Sequence, residues 1–160
     1  MKKKTLVWVI GSIVILIALA FIFTRNSVSS FETIGSFNGE MKVYKSMSCG
    51  CCDVYITYFK SKGNPNTQVV NLESLDSIKK QYGIPSEMES CHTVIIGNYF
   101  VEGHVPLEAI EKLLQEKPDI KGIAMPGMPS GAPGMLGKKT GDFVVYAVNN
   151  DGSYEEFMRI

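Results

Sequence analysis

Three thiols fall within four residues in Cys49-Gly50-Cys51-Cys52, and a fourth sits in Ser90-Cys91-His92-Thr93. No other cysteine occurs, so every thiol belongs to one of two short motifs that a compact fold can bring together. Thiolates are nucleophiles and soft metal ligands. Cys49 and Cys52 form a C-x-x-C suited to disulfide exchange, while Cys51 inside it is a thiol that exchange does not require. His92 follows Cys91 directly, and His104 lies shortly before Pro106. Cys49, Cys51, Cys52, Cys91, His92 and His104 are therefore the candidate metal ligands. Thiolate and imidazole donors without convergent carboxylates suit copper(I), and bridging thiolates make a polynuclear copper(I) cluster feasible. Zinc fits the same donors as a closed tetrahedron of three thiolates and one imidazole, or of all four thiolates. A structural disulfide, Cys49 with Cys52 or with Cys91, is the plainer use of these thiols. Vicinal Cys51-Cys52 is an awkward way to staple a loop.

The elements that must position these residues can be read from periodicity and turn chemistry. Met41 to Lys45 reads as a strand, and from Cys52 the apolar Tyr55, Ile56 and Phe59 fall at helical spacing until Gly63-Asn64-Pro65 stops them. Gln68 to Leu72 is a second strand, and Leu72, Leu75, Ile78 and Tyr82 mark a second helix that Gly83 and Pro85 end. Thr93 to Ile96 and Tyr99 to Val101, joined by Gly97-Asn98, form a hairpin. Pro106 opens a third helix with Leu107, Ile110, Leu113 and Leu114 on its apolar face and Glu108, Glu111 and Glu116 on its solvated one.

That order is the thioredoxin-like arrangement, an α/β fold with a mixed sheet and flanking helices. It places Cys49 to Cys52 where the first strand meets the first helix, and free N–H groups at a helix start favour thiolates. The place that thioredoxins give to a proline facing the C-x-x-C falls to Cys91-His92, which replaces an inert ring with two ligand side chains. Strict strand alternation would send Cys91 and His92 to opposite faces, so both reach one site only if the backbone is irregular there. His104 is a ligand, or else a surface histidine bonded to local backbone.

Gly122 to Met135 is too rich in glycine and proline for a helix or a central strand and reads as a loop. Its Met125, Met128 and Met135 are soft thioethers or an apolar lid, and the loop follows a helix that ends away from the site. Phe143 to Val148 and Tyr154 to Met158, joined through Asn149-Asn150-Asp151-Gly152, read as a C-terminal β-hairpin.

The N-terminus has a different character. Leu6 to Phe23 is an 18-residue run without a charge, preceded by Lys2, Lys3 and Lys4 and followed by Arg25. Its length and flanks predict an N-terminal transmembrane helix with the lysines inside and the rest of the chain outside the cytoplasm, rather than a cleaved signal. The expected organisation is a membrane anchor over residues 1–25, a polar linker over 26–40 and one domain over 41–160. After residue 25 twelve bases face sixteen acids, a formal charge of −4 with no basic stripe, which disfavours nucleic acid as a partner.

Cys-Gly-Cys-Cys, Ser-Cys-His-Thr, Glu-Gly-His-Val-Pro and Gly-Met-Pro-Ser-Gly-Ala-Pro-Gly-Met occur in that order between Met41 and Met135. In these motifs the chain resembles a small exported metal-binding family, long a domain of unknown function, that includes the CopG-type copper-resistance proteins. The resemblance implies a thioredoxin-like fold, copper bound through Cys49, Cys51, Cys52, Cys91 and His92, and copper handling outside the cytoplasm. Members often carry a tryptophan soon after the cysteine cluster; here Tyr55 or Tyr58 stands in that region. Three functions compete: a membrane-tethered copper-binding protein serving a copper-export or redox partner, a thiol-disulfide oxidoreductase with Cys49 as attacker and Cys52 as resolver, and a zinc-stapled interaction domain.

Overall fold

A computed structural model of the chain describes Trp8 and residues 31–160. The expected transmembrane helix and the first part of the expected linker, residues 26–30, lie outside the described residues, Trp8 aside. Among the described residues no helix is long and apolar enough to cross a membrane.

The elements run α1 (Glu32–Gly35), β1 (Met41–Ser46), α2 (Gly50–Lys62), β2 (Gln68–Leu72), α3 (Asp76–Tyr82), a 3-10 turn (Ser86–Met88), β3 (His92–Ile96), β4 (Tyr99–Glu102), α4 (Leu107–Glu116), β5 (Gly122–Ala124), β6 (Val144–Val148) and β7 (Tyr154–Arg159). They build one mixed seven-stranded sheet in the order β2-β1-β3-β4-β5-β6-β7. The β1–β2 and β4–β5 pairs are parallel, each joined through a helix, α2 or α4, as parallel neighbours require. All other pairs are antiparallel.

The central strands are buried on both faces. Every residue of β3 and β5 is buried, whereas β2 and β7 at the edges are largely exposed. Alternation splits the apolar residues between two cores. Val94, Ile96, Val101, Ile123 and Val145 join Tyr55, Phe59, Leu107, Ile110 and Leu113 in the larger one. Ile95, Phe100, Ala124 and Val148 meet Ile84 and Met88 in the smaller one. A sheet covered on both faces explains why β3 and β5 show no polar alternation in the sequence.

Three expectations change. The stretch 122–135 begins with a central strand, not a loop, because Gly122 is needed there: a Cβ at that position would run into the carbonyl and ring of Phe100 on β4. Glycine here allows close strand approach, a use of the residue that composition alone does not reveal. The remainder of the expected linker, residues 31–40, also carries structure. Ile34 of α1 is fully buried, Asn64 Nδ2 donates to the carbonyls of Ile34 and Phe37 at 3.0 and 3.1 Å, and the compact unit spans Phe31–Ile160.

Glu111, expected on the solvated face of α4, is buried. It accepts the N–H groups of Thr33 and Ile34 at 2.9 and 3.0 Å and so caps a helix whose Phe31 N-cap offers no side-chain bond. Glu111→Ala in the full chain strands those donors. It is expected to lower stability by about 1–2 kcal/mol in urea unfolding, with faster amide exchange at Thr33 and Ile34. Unchanged exchange there would show that the segment is held without the carboxylate.

Candidate functional site

β1 delivers the chain to the start of α2, and Cys49 is the N-cap of that helix, with Gly50, Cys51, Cys52 and Asp53 in its first turn. β3 runs antiparallel to β1 with Lys45 opposite His92, so the end of β1 and the beginning of β3 lie side by side. That register brings the two cysteine motifs together. Cys91 precedes the first residue of β3, at a bend and outside strand alternation, which lets it share a site with His92.

Cys49 and Cys52 are joined in a disulfide across the C-x-x-C, with Cα atoms 5.4 Å apart. Cys51 and Cys91 are free and half-buried. The structure thus adopts the first of the two disulfides that the sequence allowed. Two of the six candidate ligands are engaged in a covalent bond, and reduction must precede their use as donors. Cys51 Sγ lies 3.5 Å from Cys49 Sγ, and Cys52 Sγ lies 3.6 Å from the Cys91 carbonyl oxygen. The sulfurs of Cys49, Cys51, Cys52 and Cys91 all fall within 4.8 Å of one another.

A second donor set shares Cys91. Its Sγ is 3.5 Å from His92 Nδ1 and 3.2 Å from His104 Nε2, and the three donor groups lie within the same 4.8 Å spread. Both imidazoles are fully buried, so His104 is not a surface residue. His104 Nδ1 donates to the Pro133 carbonyl at 2.7 Å, which leaves Nε2 as the lone-pair nitrogen facing Cys91. Tyr55 on α2 supports both rings. Its ring centroid is 4.5 Å from that of His92 and 5.4 Å from that of His104, and its hydroxyl donates to the Val105 carbonyl at 2.9 Å.

Among the described residues His92 Nε2 is the single buried side-chain polar atom without a hydrogen-bond partner. Leaving such a group unmatched costs about 1–3 kcal/mol, and a metal bound at that nitrogen would offset the cost. Burial first, then His104, pushes the His92 imidazole down to about 3, and burial also lowers His104. Neutral imidazoles are the form that binds metal. At Cys91 burial first, then Cys51, pushes the thiol up to about 11, so without metal it is a protonated donor toward the His104 lone pair at neutral pH.

The loop after β5 closes over this place, although the sequence suggested that it would lie away from it. Gly134, at φ +80°, packs so closely on α2 that a Cβ would come within 2.7 Å of the Tyr55 nitrogen and 3.0 Å of the Cys51 carbonyl oxygen. Gly50, Cys51, Val54, Met128, Ser130, Gly134, Met135 and Leu136 line an open cavity of about 640 Å³. Met128 and Met135 therefore share a cavity with Cys51, whereas Met125 is buried in the larger core. Sequence reasoning missed Pro133 and a buried ion pair, Lys79 with Glu102, behind Cys91. The only hint of the latter was a carboxylate closing the otherwise apolar strand Tyr99-Phe100-Val101-Glu102.

The fold and site define a class: a mixed α/β protein whose cysteine-rich helix start faces a Cys-His strand start, forming a thiol and imidazole centre. Residues 88–135 match a family described as "Protein of unknown function, DUF411". Two solved structures of "Copper resistance protein copG", Form 1 and Form 2, are each 34% identical to this chain, with TM-scores of 0.66 and 0.67. Each alignment covers 76% of this chain, and 96% and 97% of the respective relatives. No curated protein matches the sequence. The chain belongs to the CopG family.

The buried imidazoles imply a pH dependence. An unfolded chain protonates His92 as pH falls below 6.5, while the folded chain resists until about 3, so the unfolded state holds more protons in between. Stability is complete above that window and falls as pH drops through it, at about 1.4 kcal/mol per pH unit for one group. Urea unfolding of the reduced, metal-free protein at pH 7 and pH 5 should show this slope, and His92→Gln should flatten it. An equal slope in the variant would assign the effect to another group.

Proposed function

We propose that this chain is a copper-binding protein of copper homeostasis that holds copper(I) on Cys49, Cys51, Cys52 and Cys91, with His92 and His104 completing the donor set. The observation that carries the reading is Cys91, which belongs to a four-sulfur group and to a Cys-His-His group at once. His92, whose Nδ1 lies 3.5 Å from that sulfur, keeps an unmatched Nε2 and fits a metal ligand, and the two solved relatives are named copper resistance proteins. Copper supplies a one-electron couple and a preference for low-coordinate thiolate bridging. The chain's own contribution is a choice of donors set by redox state. With Cys49 and Cys52 bonded, Cys51, Cys91, His92 and His104 remain available. Two electrons and two protons from a thiol reductant open the disulfide and add two sulfurs.

The β-α-β-α-β-β-α order is read as thioredoxin-like, with β5 to β7 as an extension. Leu6 to Phe23 is read as the membrane anchor, placing the site outside the cytoplasm, where a copper-export or redox protein is the expected partner. A second function is favoured by the closed Cys49–Cys52 bond at a helix N-terminus: thiol-disulfide exchange, with half-buried Cys49 as attacker and fully buried Cys52 as resolver.

Anaerobic titration of the reduced protein with copper(I) and zinc, followed by elemental analysis, separates the readings. Copper(I) at about a hundredfold excess over Kd should stabilise the fold by about 2.7 kcal/mol. Cys91→Ser and His92→Ala should weaken copper retention at least about tenfold, a loss of about 1.4 kcal/mol. Equal retention in Cys91→Ser and wild type would sink the shared-site reading. No copper retained, with insulin-reducing activity intact in Cys51→Ser and His92→Ala, would make the chain an oxidoreductase, and preferential zinc retention would make it a zinc-stapled domain.

A further inference from the structure

Behind the site lies a buried ion pair that neither the donor set nor the disulfide uses. Lys79 on α3 and Glu102 on β4 are nearly or wholly inaccessible, with Nζ 3.1 Å from Oε1. A buried pair of this kind seldom exists for stability, since well-packed apolar residues do as well or better. Its hydrogen bonds converge on one residue. Ser90 donates its N–H to Glu102 Oε1 at 2.6 Å, and its carbonyl accepts from Lys79 Nζ, also at 2.6 Å. Both backbone polar groups of the residue before Cys91 are thus held by opposite charges.

The remaining contacts extend the grip to either side of Cys91. Thr93 Oγ1 donates to Glu102 Oε2 at 2.6 Å, across the register that sets Thr93 opposite Glu102. Glu89 Oε2 lies 3.3 Å from Lys79 Nζ. The Ser90 side chain packs on Gly103, where φ is +83° and a Cβ would come within 2.9 Å of Ser90 Cβ and Oγ. Residues 90 and 93 are therefore pinned on either side of Cys91 and His92. Cys91 is the sulfur on which both donor sets depend, and a bend rather than a strand carries it. The β-sheet alone does not fix its place.

We propose that Lys79 and Glu102 are positioning residues of the centre: by clamping Ser90 and Thr93 they hold Cys91 Sγ where it serves the cysteine cluster and the histidine pair together. The clamp deepens the copper reading and rests on it for its purpose, but its geometry stands without metal. It acts on the placement of one thiol and leaves in place the backbone of α2 that carries Cys51 and Cys52 and that Cys49 caps. Charged partners make the clamp directional, because charge-assisted bonds are shorter and stronger than neutral ones.

The test uses the full chain, reduced and metal-free, with iodoacetamide labelling of each cysteine followed by mass spectrometry at fixed pH. Cys51, half-buried like Cys91, is the internal reference. Glu102→Gln should raise the Cys91 to Cys51 labelling ratio about fivefold or more, the effect of about 1 kcal/mol in local opening. The double variant Lys79→Met with Glu102→Gln leaves no buried unpaired charge, so it keeps the test valid if the single variant does not fold. It should show the same rise with a urea midpoint near wild type. An unchanged ratio in a folded double variant, or equal acceleration of all four thiols, would overturn the clamp.

A second arm reads copper. Against bicinchoninate as competitor, Glu102→Gln should retain about tenfold less copper(I) than wild type, and no further loss should appear when it is added to Cys91→Ser. Additive losses in that cycle would mean that the pair acts elsewhere. If wild type retains no copper, the proposed function falls, and the labelling ratio still decides the clamp.

Discussion

The antiparallel pairing that sets Lys45 against His92 is the constraint from which the site follows. It makes the last residues of β1, which lead into Cys49, neighbours of Cys91 at the start of β3. Shifting that register by one residue would turn His92 to the opposite face of the sheet and withdraw it from Tyr55 and Cys91. The pairing is well defended. Val94 and Ile96 on one face and Ile95 on the other enter different cores, so no slipped register buries the same apolar surface. A site built on two central strands inherits their rigidity, which loops at the edge of a sheet would not supply.

Burial then sets the chemistry. Two imidazoles and a half-buried thiol have been taken out of water with few partners, and each responds by favouring its neutral form. His92 keeps a nitrogen without a hydrogen bond. In a fold stabilised by only a small net free energy, such an unmatched group is a substantial concession, and sites that bind or react are where concessions of this sort gather. The disulfide takes two of the six candidate donors out of use. While Cys49 and Cys52 are bonded, the group that can form without reduction is the one centred on Cys91 and the two histidines.

The loop after β5 shows how an extension becomes part of a centre. Glycine at 134 permits backbone contact with the first turns of α2, and the Pro133 carbonyl next to it fixes the tautomer of His104. One short segment thereby covers the cysteine helix and orients an imaginary pointer of the histidine pair, the Nε2 lone pair, toward Cys91. Met128 and Met135 are brought by the same fold of the chain to the open cavity that Cys51 also lines.

Much of this was legible in the sequence because it is local. Cysteine and histidine types name soft-metal and redox chemistry wherever they sit, and helical spacing after Cys52, the Gly97-Asn98 turn and the Asn150-Asp151-Gly152 turn are set by backbone preferences of a few adjacent residues. The linear order of elements followed, and with it the meeting of strand and helix at Cys49. Contacts between distant residues were not legible. Glu111 looked like one more charge on a helix, yet it caps α1 some 77 residues away in the chain. Gly122 looked like a loop residue until Phe100 was beside it, and Lys79 and Glu102 carried no mark of being partners. Such roles depend on which side chains the fold places within a few ångströms, and composition or period does not encode that distance. The sequence by itself determined which donors the protein owns and which elements carry them; the tertiary structure decided that Cys91 is shared, that both histidines are buried, and which thiols are bonded.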